Sequence, residues 1–274
     1  MHNKPVILLT VLAAAIALGF LLYSRRPPEP TYGGLPLTVW LTRLPEPPYK
    51  TVETNESVRA IRSMGTNALP HLLHLLSRKD SPMTRLLKVI NAKQSLVRFR
   101  VTDASMLGDY AGCGLVALGD TGRPAIPDLA RLLHDPEHVG NVACFFPFFG
   151  PEGFRTLATG LTNRNEYVRW MSAVNLTLWA ARVLTNANNE AVLRFQREAR
   201  VAVPALVAAL RDANPRVVHA VATALGAIRQ EPDLVIPALT AVVQDSGTSD
   251  SARKAASKSL ELFRASDALN RSEQ

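Results

Sequence analysis

Cysteine and aromatic residues are both scarce in this chain of 274 residues. Its two cysteines are too few for a disulfide framework or a cysteine-rich metal site, so neither can be the basis of the fold. Aromatic residues make up 6% of the chain, and Ala and Leu dominate the apolar 47%. Because Ala and Leu favour helices whereas strands favour aromatic and β-branched residues, the composition indicates an all-α protein.

Short catalytic motifs are absent as well. The chain has no Gly-x-Ser-x-Gly, no P-loop and no Gly-x-Gly-x-x-Gly. His71 and His74 lie three residues apart, but no Asp, Glu or Cys in the same predicted helix joins them. His134 and His138 flank Pro136, which prevents a regular helical pair, so we expect both in a loop. We therefore expect no enzymatic activity, no cofactor and no metal ion.

One long apolar run stands at the start of the chain. Residues 6–23 carry no charge, and they are preceded by Lys4 and followed by Arg25 and Arg26. A spanning helix needs about 20 apolar residues, whereas the core of a signal peptide usually has about 7–15. We predict an uncleaved membrane anchor over residues 1–26, and a cleaved signal is the alternative. The charges flanking the run leave the side of the membrane open, and we expect the remaining chain on the extracytoplasmic side.

A linker and a short helix follow the predicted anchor. Residues 27–36 are rich in Pro and Gly and predict a stiff spacer that ends in a turn. Residues 37–50 begin with apolar side chains at helical spacing and end in several prolines, which terminate a helix. We expect this capping helix to cover the open end of the next domain. Its apolar positions are Leu37, Trp40, Leu41 and Leu44.

Internal repetition dominates the rest of the chain. An Ala-rich helix ends at a Gly, a short loop follows, and a Pro occupies the first turn of the next helix, which carries Leu or Val on one face. Two of these prolines, Pro204 and Pro237, are 33 residues apart. Two repeats depart from the pattern. In the third, no Pro is expected at the start of the second helix after Gly150. In the fourth, Thr177 stands where the helix-ending Gly is expected. The repeated stretches begin at Met64, Leu118, Ala202 and Leu225.

These stretches resemble the HEAT-repeat family, particularly short bacterial HEAT-like repeats related to those of phycobilisome lyases, over about residues 55–265. The resemblance implies an α-solenoid of about five repeats over residues 51–268, with residues 269–274 as a disordered tail. It also implies protein binding, because stacked helix pairs form an extended surface. The family includes one iron enzyme, deoxyhypusine hydroxylase, whose His-Glu dipeptides this chain lacks.

Two insertions interrupt the predicted repeat, at residues 77–107 and 178–200. The first carries seven basic and two acidic residues, and thus most of the formal net charge of +8. This segment predicts a helix over residues 84–97 that either docks with a solvated basic face or forms an anion-binding patch. The candidate contacts for an anion or a partner are Arg85, Lys88, Lys93, Arg98 and Arg100.

The scarce residues have expected places in these repeats. Cys113 and Cys144 each lie six residues before a Gly, so we predict equivalent, buried and unbridged positions in adjacent repeats. Five Phe residues crowd the segment 145–154, and Trp170 and Trp179 follow. They predict either core filling or a surface aromatic patch for a partner.

The sequence thus favours a non-catalytic, membrane-tethered scaffold that binds a protein. Binding of acidic lipid or nucleic acid through the basic insertion is one alternative, of which nucleic acid is the less expected ligand. An accessory factor of lyase-like HEAT type is the other.

Deleting residues 1–26 tests the predicted anchor. The truncated chain should move from the membrane to the soluble fraction, because the apolar run is what holds it there. Its helical circular dichroism should remain, since the repeats bury their own core. Loss of the helical signal on truncation would contradict the separation into anchor and repeat domain.

Overall fold

The computed structural model describes residues 29–44, 55–93, 99, 101, 103–186 and 189–272, with side chains described outside 182–189 and 266–272. The predicted anchor over 1–26 lies outside these ranges, as do Arg98 and Arg100. Within the described ranges, no helix combines the length and apolar character that a membrane crossing requires.

The described chain begins with a small antiparallel hairpin and a short helix. Strands β1 (Thr31–Tyr32) and β2 (Leu35–Pro36) pair across two glycines with positive φ, and helix α1 (Leu37–Thr42) follows at once. Trp40 is buried and donates its indole N–H to the Tyr32 carbonyl oxygen over 3.1 Å. Helix α1 contacts the later helices Glu56–Met64 and Ala104–Leu118, and its role as a cap on the open end stays a prediction.

Five helix pairs and a last single helix form the repeats of the described chain, and two further helices interrupt them. The first helices of successive pairs contact one another and form one layer, and the second helices form the other layer. The first layer consists of α2 (Glu56–Met64), α5 (Ala104–Leu118), α7 (Val139–Val142) continued by the 3-10 helix Ala143–Phe149, α9 (Glu166–Asn186), α12 (Pro215–Ile228) and α14 (Asp250–Ser272). The second layer consists of α3 (Leu69–Leu76), α6 (Ile126–Leu133), α8 (Gly150–Thr159), α11 (Val203–Ala209) and α13 (Pro232–Gln244).

The two predicted insertions form additional helices. Helix α4 (Pro82–Lys93) separates the first two pairs, and α10 (Asn189–Ala199) separates the two helices of the fourth pair. Helix α9 continues past Thr177 to Asn186, as expected where the helix-ending Gly is missing. Further 3-10 helices lead into the second-layer helices or follow them: Gly65–Ala68, Gly119–Ala125, Gly160–Thr162 and Arg200–Ala202.

Glycine ends three first-layer segments in a conformation open to few other residues. Gly65, Gly119 and Gly150 have φ between 59° and 64° with ψ between −131° and −145°. A side chain clashes with the backbone in this region, so Gly is strongly preferred. The prediction that Gly ends these helices is therefore correct, although the conformation differs from the expected left-handed helical one.

Three sequence predictions need correction. Pro151 lies in the first turn of α8, so the third repeat does have the proline that it was expected to lack. Gly226 lies inside α12, which ends at Ile228 and is capped by Arg229 in the left-handed conformation. Helix α14 runs to Ser272, four residues into the predicted disordered tail.

The aromatic segment is mostly core. Phe145, Phe146, Phe149 and Phe154 are all buried, which confirms core filling for them. Phe148 is half-buried and packs edge-on against Trp179, with ring centroids 4.5 Å apart.

Polar side chains join neighbouring pairs at their turns. His138 is buried, with Nδ1 2.9 Å from Asp135 Oδ2 and Nε2 3.1 Å from the Ser77 carbonyl oxygen. Arg169 donates from Nε and Nη2 to the two carboxylate oxygens of Asp212, at 2.6 and 3.1 Å. The repeated polar turns thus bind one pair to the next.

Gly226 lets α12 and α14 approach closely, which makes a substitution there a sharp test of the packing. A Cβ at this position would lie 2.6 Å from the Ser259 Cβ and 2.9 Å from its Cα. Gly226→Ala should therefore lower the free energy of unfolding by about 1–3 kcal/mol, because the helices must separate. Chemical denaturation followed by circular dichroism measures the change.

Gly140→Ala is the matched control for that variant. A Cβ at Gly140 would meet the Tyr167 hydroxyl at an ordinary 3.7 Å. This variant should be neutral or more stable by up to about 1 kcal/mol, because Ala favours helix over Gly. A Gly226→Ala variant that is as stable as Gly140→Ala would show that the α12–α14 contact is looser than described.

Candidate functional site

An open groove runs along α12 between α9 and α14. Two adjoining depressions of about 660 and 400 Å³ form it, and both are lined by Thr177, His219 and Ser251. Helix α12 forms its floor, to which it contributes Arg216, His219, Ala220, Thr223 and Ala227. The further lining residues are Trp170, Val174, Leu178, Ala181, Lys254, Ala255, Lys258, Ser259 and Leu262.

Small and large side chains of α12 line this surface. They are the buried Ala220 and Ala227, the half-buried Thr223 and the exposed Arg216 and His219. The flanking helices contribute Leu178 of α9, which is 59% exposed, and Leu262 of α14, which is 37% exposed. Exposed leucines on both sides of α12 give the groove apolar edges.

The charged side chains that line the groove all have the same sign. Arg216, Lys254 and Lys258 are exposed along it, and none of the described lining residues is an Asp or Glu. Lys254 and Lys258 lie one turn apart on α14, so their ammonium groups project from the same face. Glu261 is nearby on α14 but does not line either depression. The groove therefore has a basic rim.

The hydroxyl groups in the groove are engaged with protein atoms. Thr177 donates to the Ala220 carbonyl oxygen over 2.8 Å, and Ser259 donates to the Ala222 carbonyl oxygen over 2.8 Å. Thr223 donates to the carbonyl oxygen of His219, one turn earlier. The bonds from Thr177 and Ser259 hold α12 to α9 and α14.

A hydrogen bond to a backbone carbonyl oxygen also holds the imidazole of His219. Its Nδ1 lies 3.0 Å from the Ser251 carbonyl oxygen. Because a carbonyl oxygen only accepts hydrogen bonds, Nδ1 carries a proton and donates it. His219 thus links α12 to the start of α14 and directs its other ring nitrogen away from that bond.

The basic insertion is arranged differently from the predicted patch. Lys88 lies between two carboxylates, 2.7 Å from Asp80 Oδ2 and 2.8 Å from Asp103 Oδ2. The hydrogen bonds from Lys88 lower the pKa of both Asp80 and Asp103. The same hydrogen bonds raise the pKa of Lys88, and the bond to Asp103 contributes more than the bond to Asp80. The same carboxylates accept backbone N–H groups of Ala104 and Met106. Lys88 therefore ties α4 to the start of α5.

The other candidate cations of this insertion are less constrained. Arg85 donates to the backbone carbonyl oxygen of Asp80 over 3.3 Å. Lys93 is exposed and forms no ion pair within the described residues. Arg98 and Arg100 lie outside the described ranges.

Helix α4 exposes several apolar side chains among the described residues. None of its residues is buried, and Met83, Leu86 and Val89 expose 62%, 53% and 49% of their surfaces, whereas Leu87 and Ile90 are half-buried. Whether α4 docks with a solvated basic face or binds an anion stays a prediction. The helix presents large apolar side chains next to Arg85 and Lys93.

The remaining candidate residues have structural surroundings. His134 contacts the side chains of Thr159 and Asn163. Cys113 and Cys144 are not bridged, and both are half-buried where burial was expected. In the described part of the chain, no group of three or more His, Cys, Asp or Glu is placed to hold a metal ion.

Comparisons with known proteins address the fold. A family model described as HEAT repeats matches residues 155–261, which include α9, α12 and most of α14. An engineered protein solved by a structural genomics consortium is 16% identical over 84% of this chain and 96% of its own, with a TM-score of 0.42. A designed armadillo repeat protein is 16% identical over 83% of this chain and 99% of its own, with a TM-score of 0.36.

These comparisons identify a kind of repeat and no particular protein. No curated protein matches the chain. The helix pairs confirm the predicted helical repeat, and the HEAT family match covers residues 155–261 of it. They do not bear on the suggested relation to phycobilisome lyases, and the two structural similarities are too low to carry an argument.

Proposed function

We propose that this chain is a non-catalytic scaffold, tethered to a membrane by its N-terminal segment, and that it binds a protein in the groove over α12. The groove is the observation that carries the proposal. Repeats of this kind typically serve as protein-interaction scaffolds, because stacked pairs provide an extended surface. Here that surface offers apolar edges and a charged rim, the combination that protein interfaces use for affinity and orientation.

The chemistry of the groove supports binding over catalysis. Its Thr177, Thr223 and Ser259 hydroxyls bond to backbone carbonyl oxygens, and no carboxylate among the described lining residues accompanies His219. A nucleophile needs a base within hydrogen-bond reach, as in a triad. We therefore assign these groups to packing and do not propose a lyase-like accessory role.

Photo-crosslinking from the groove tests the scaffold proposal. A photoreactive phenylalanine analogue replacing Thr223 in the full chain should yield discrete protein adducts in the native host. Leu178→Asp together with Leu262→Asp should abolish them, because each change places a charge in the apolar edge of the groove. Adducts are detected by gel shift and identified by mass spectrometry.

Leu193→Asp together with Leu234→Asp is the matched control. These leucines are 57% and 43% exposed and line neither depression. The control should retain the adducts, and both double variants should fold, since surface substitutions usually change stability within about 0.5 kcal/mol. Adducts insensitive to the groove variant would reject the groove as the binding surface.

A second candidate function rests on α4. An exposed apolar side beside basic residues suits the surface of an anionic membrane better than nucleic acid, which offers no apolar layer for Met83, Leu86 and Val89. In this proposal α4 lies on the membrane to which the N-terminal segment is attached.

Vesicle flotation tests this second function on the chain lacking residues 1–26. We expect binding to vesicles of phosphatidylcholine and phosphatidylserine, and little binding to phosphatidylcholine alone, because the cations require anionic headgroups. Met83→Asp together with Leu86→Asp should abolish flotation, whereas Leu193→Asp with Leu234→Asp should not. Flotation that is independent of phosphatidylserine would exclude the role assigned to the basic residues.

A further inference from the structure

We infer that the segment bound in the groove is an acidic amphipathic helix, one that presents carboxylates beside a stripe of leucine-like side chains. This inference rests on the proposed function and specifies the chemistry of its partner. Two properties of the groove carry it: the charge of its rim and its shape.

The positive charge of the rim favours a partner with negative charge. Arg216, Lys254 and Lys258 line the groove without a described carboxylate to neutralise them. In contrast, Lys88 of the insertion is held between two Asp residues, and Arg169 is paired with Asp212. Cations left available along an apolar groove are complementary to carboxylates on the rim of an incoming partner.

The openness of the groove admits a helix. Its two depressions, of about 660 and 400 Å³, adjoin along α12 and share Thr177, His219 and Ser251 in their lining. Helices α9 and α14 both contact α12 and supply the exposed Leu178 and Leu262. A helix laid along the groove meets side chains from all three.

The length and the apolar contacts agree with this fit. From Arg216 to Ala227 the floor extends about 16 Å, or three helical turns. An amphipathic helix that contributes apolar residues at i, i+3, i+4 and i+7 meets Leu178 on one edge and Leu262 on the other. Its carboxylates then lie one turn apart, which matches the spacing of Lys254 and Lys258 on α14.

Fluorescence anisotropy with designed peptides tests the inference on the full chain in non-ionic detergent. The probe is a stapled helical peptide of about four turns with a leucine stripe flanked by Glu. One comparison peptide carries Lys in place of every Glu, and another has the same composition with the leucine positions scrambled. We expect the wild-type chain to bind the acidic amphipathic peptide alone, and added salt to weaken that binding.

Charge reversal in the protein gives the matched comparison. Lys254→Glu together with Lys258→Glu should weaken binding of the acidic peptide about tenfold, because two attractive contacts become repulsive. The same double variant should gain binding of the Lys peptide. Arg155→Glu with Arg264→Glu removes equal charge from exposed positions outside the groove and should leave both affinities unchanged.

Other outcomes overturn the inference in distinguishable ways. Equal loss of affinity in both double variants would mean attraction to the net charge of the chain alone. Concentration-dependent dimers lost in Lys254→Glu with Lys258→Glu would assign the groove to a second copy, and a co-purifying lipid lost in the same variant would assign it to an amphiphile. If no peptide binds while groove-dependent crosslinks persist, the inference fails and the scaffold proposal stands; loss of the crosslinks rejects both.

Discussion

The close approach of first-layer helices is the constraint on which the rest of the structure depends. Gly226 permits it, since a Cβ there would lie 2.9 Å from the backbone of α14. At that separation the Ser259 hydroxyl reaches the Ala222 carbonyl oxygen, and on the opposite side of α12 the Thr177 hydroxyl reaches that of Ala220. Hydrogen bonds between side chain and backbone thus fasten α12 on both sides. The buried Ala220 and Ala227 complete this packing and also line the groove along α12, so packing and groove share these residues.

The helix pairs were predictable because the residues that begin and end their helices act through local backbone conformation. Gly65 and Gly119 end helices through a backbone conformation that few other residues adopt, and proline in a first turn marks the next helix. The same reasoning failed at Gly226, where the glycine serves a contact with a helix more than thirty residues away along the chain. A glycine needed for its conformation and one needed for its small size are identical in a sequence. Pro151 was misassigned because α8 begins directly at Gly150, without the loop seen in other pairs.

The candidate site was harder to predict than the fold. Charge counting singled out the insertion around Lys88, but counting ignores that Asp80 and Asp103, on either side in sequence, both reach its ammonium group. The groove escaped notice because its residues come from three helices, each of ordinary composition. The one signal available was the placement of Lys254 and Lys258 on the same face of α14 as the apolar Leu262, a pattern typical of many solvated helices.

The enclosure of α12 has a consequence for the proposed binding. Ten of the fourteen residues of α12 are buried and hydrogen bonds hold the helix to both neighbours, so the groove has little freedom to change shape when the proposed partner binds. The entropic cost of association then falls mainly on the incoming segment, which must give up its conformational freedom. In the proposed binding, ligands of equal charge and hydrophobicity would then differ in affinity by the amount of helix that each one already forms in solution.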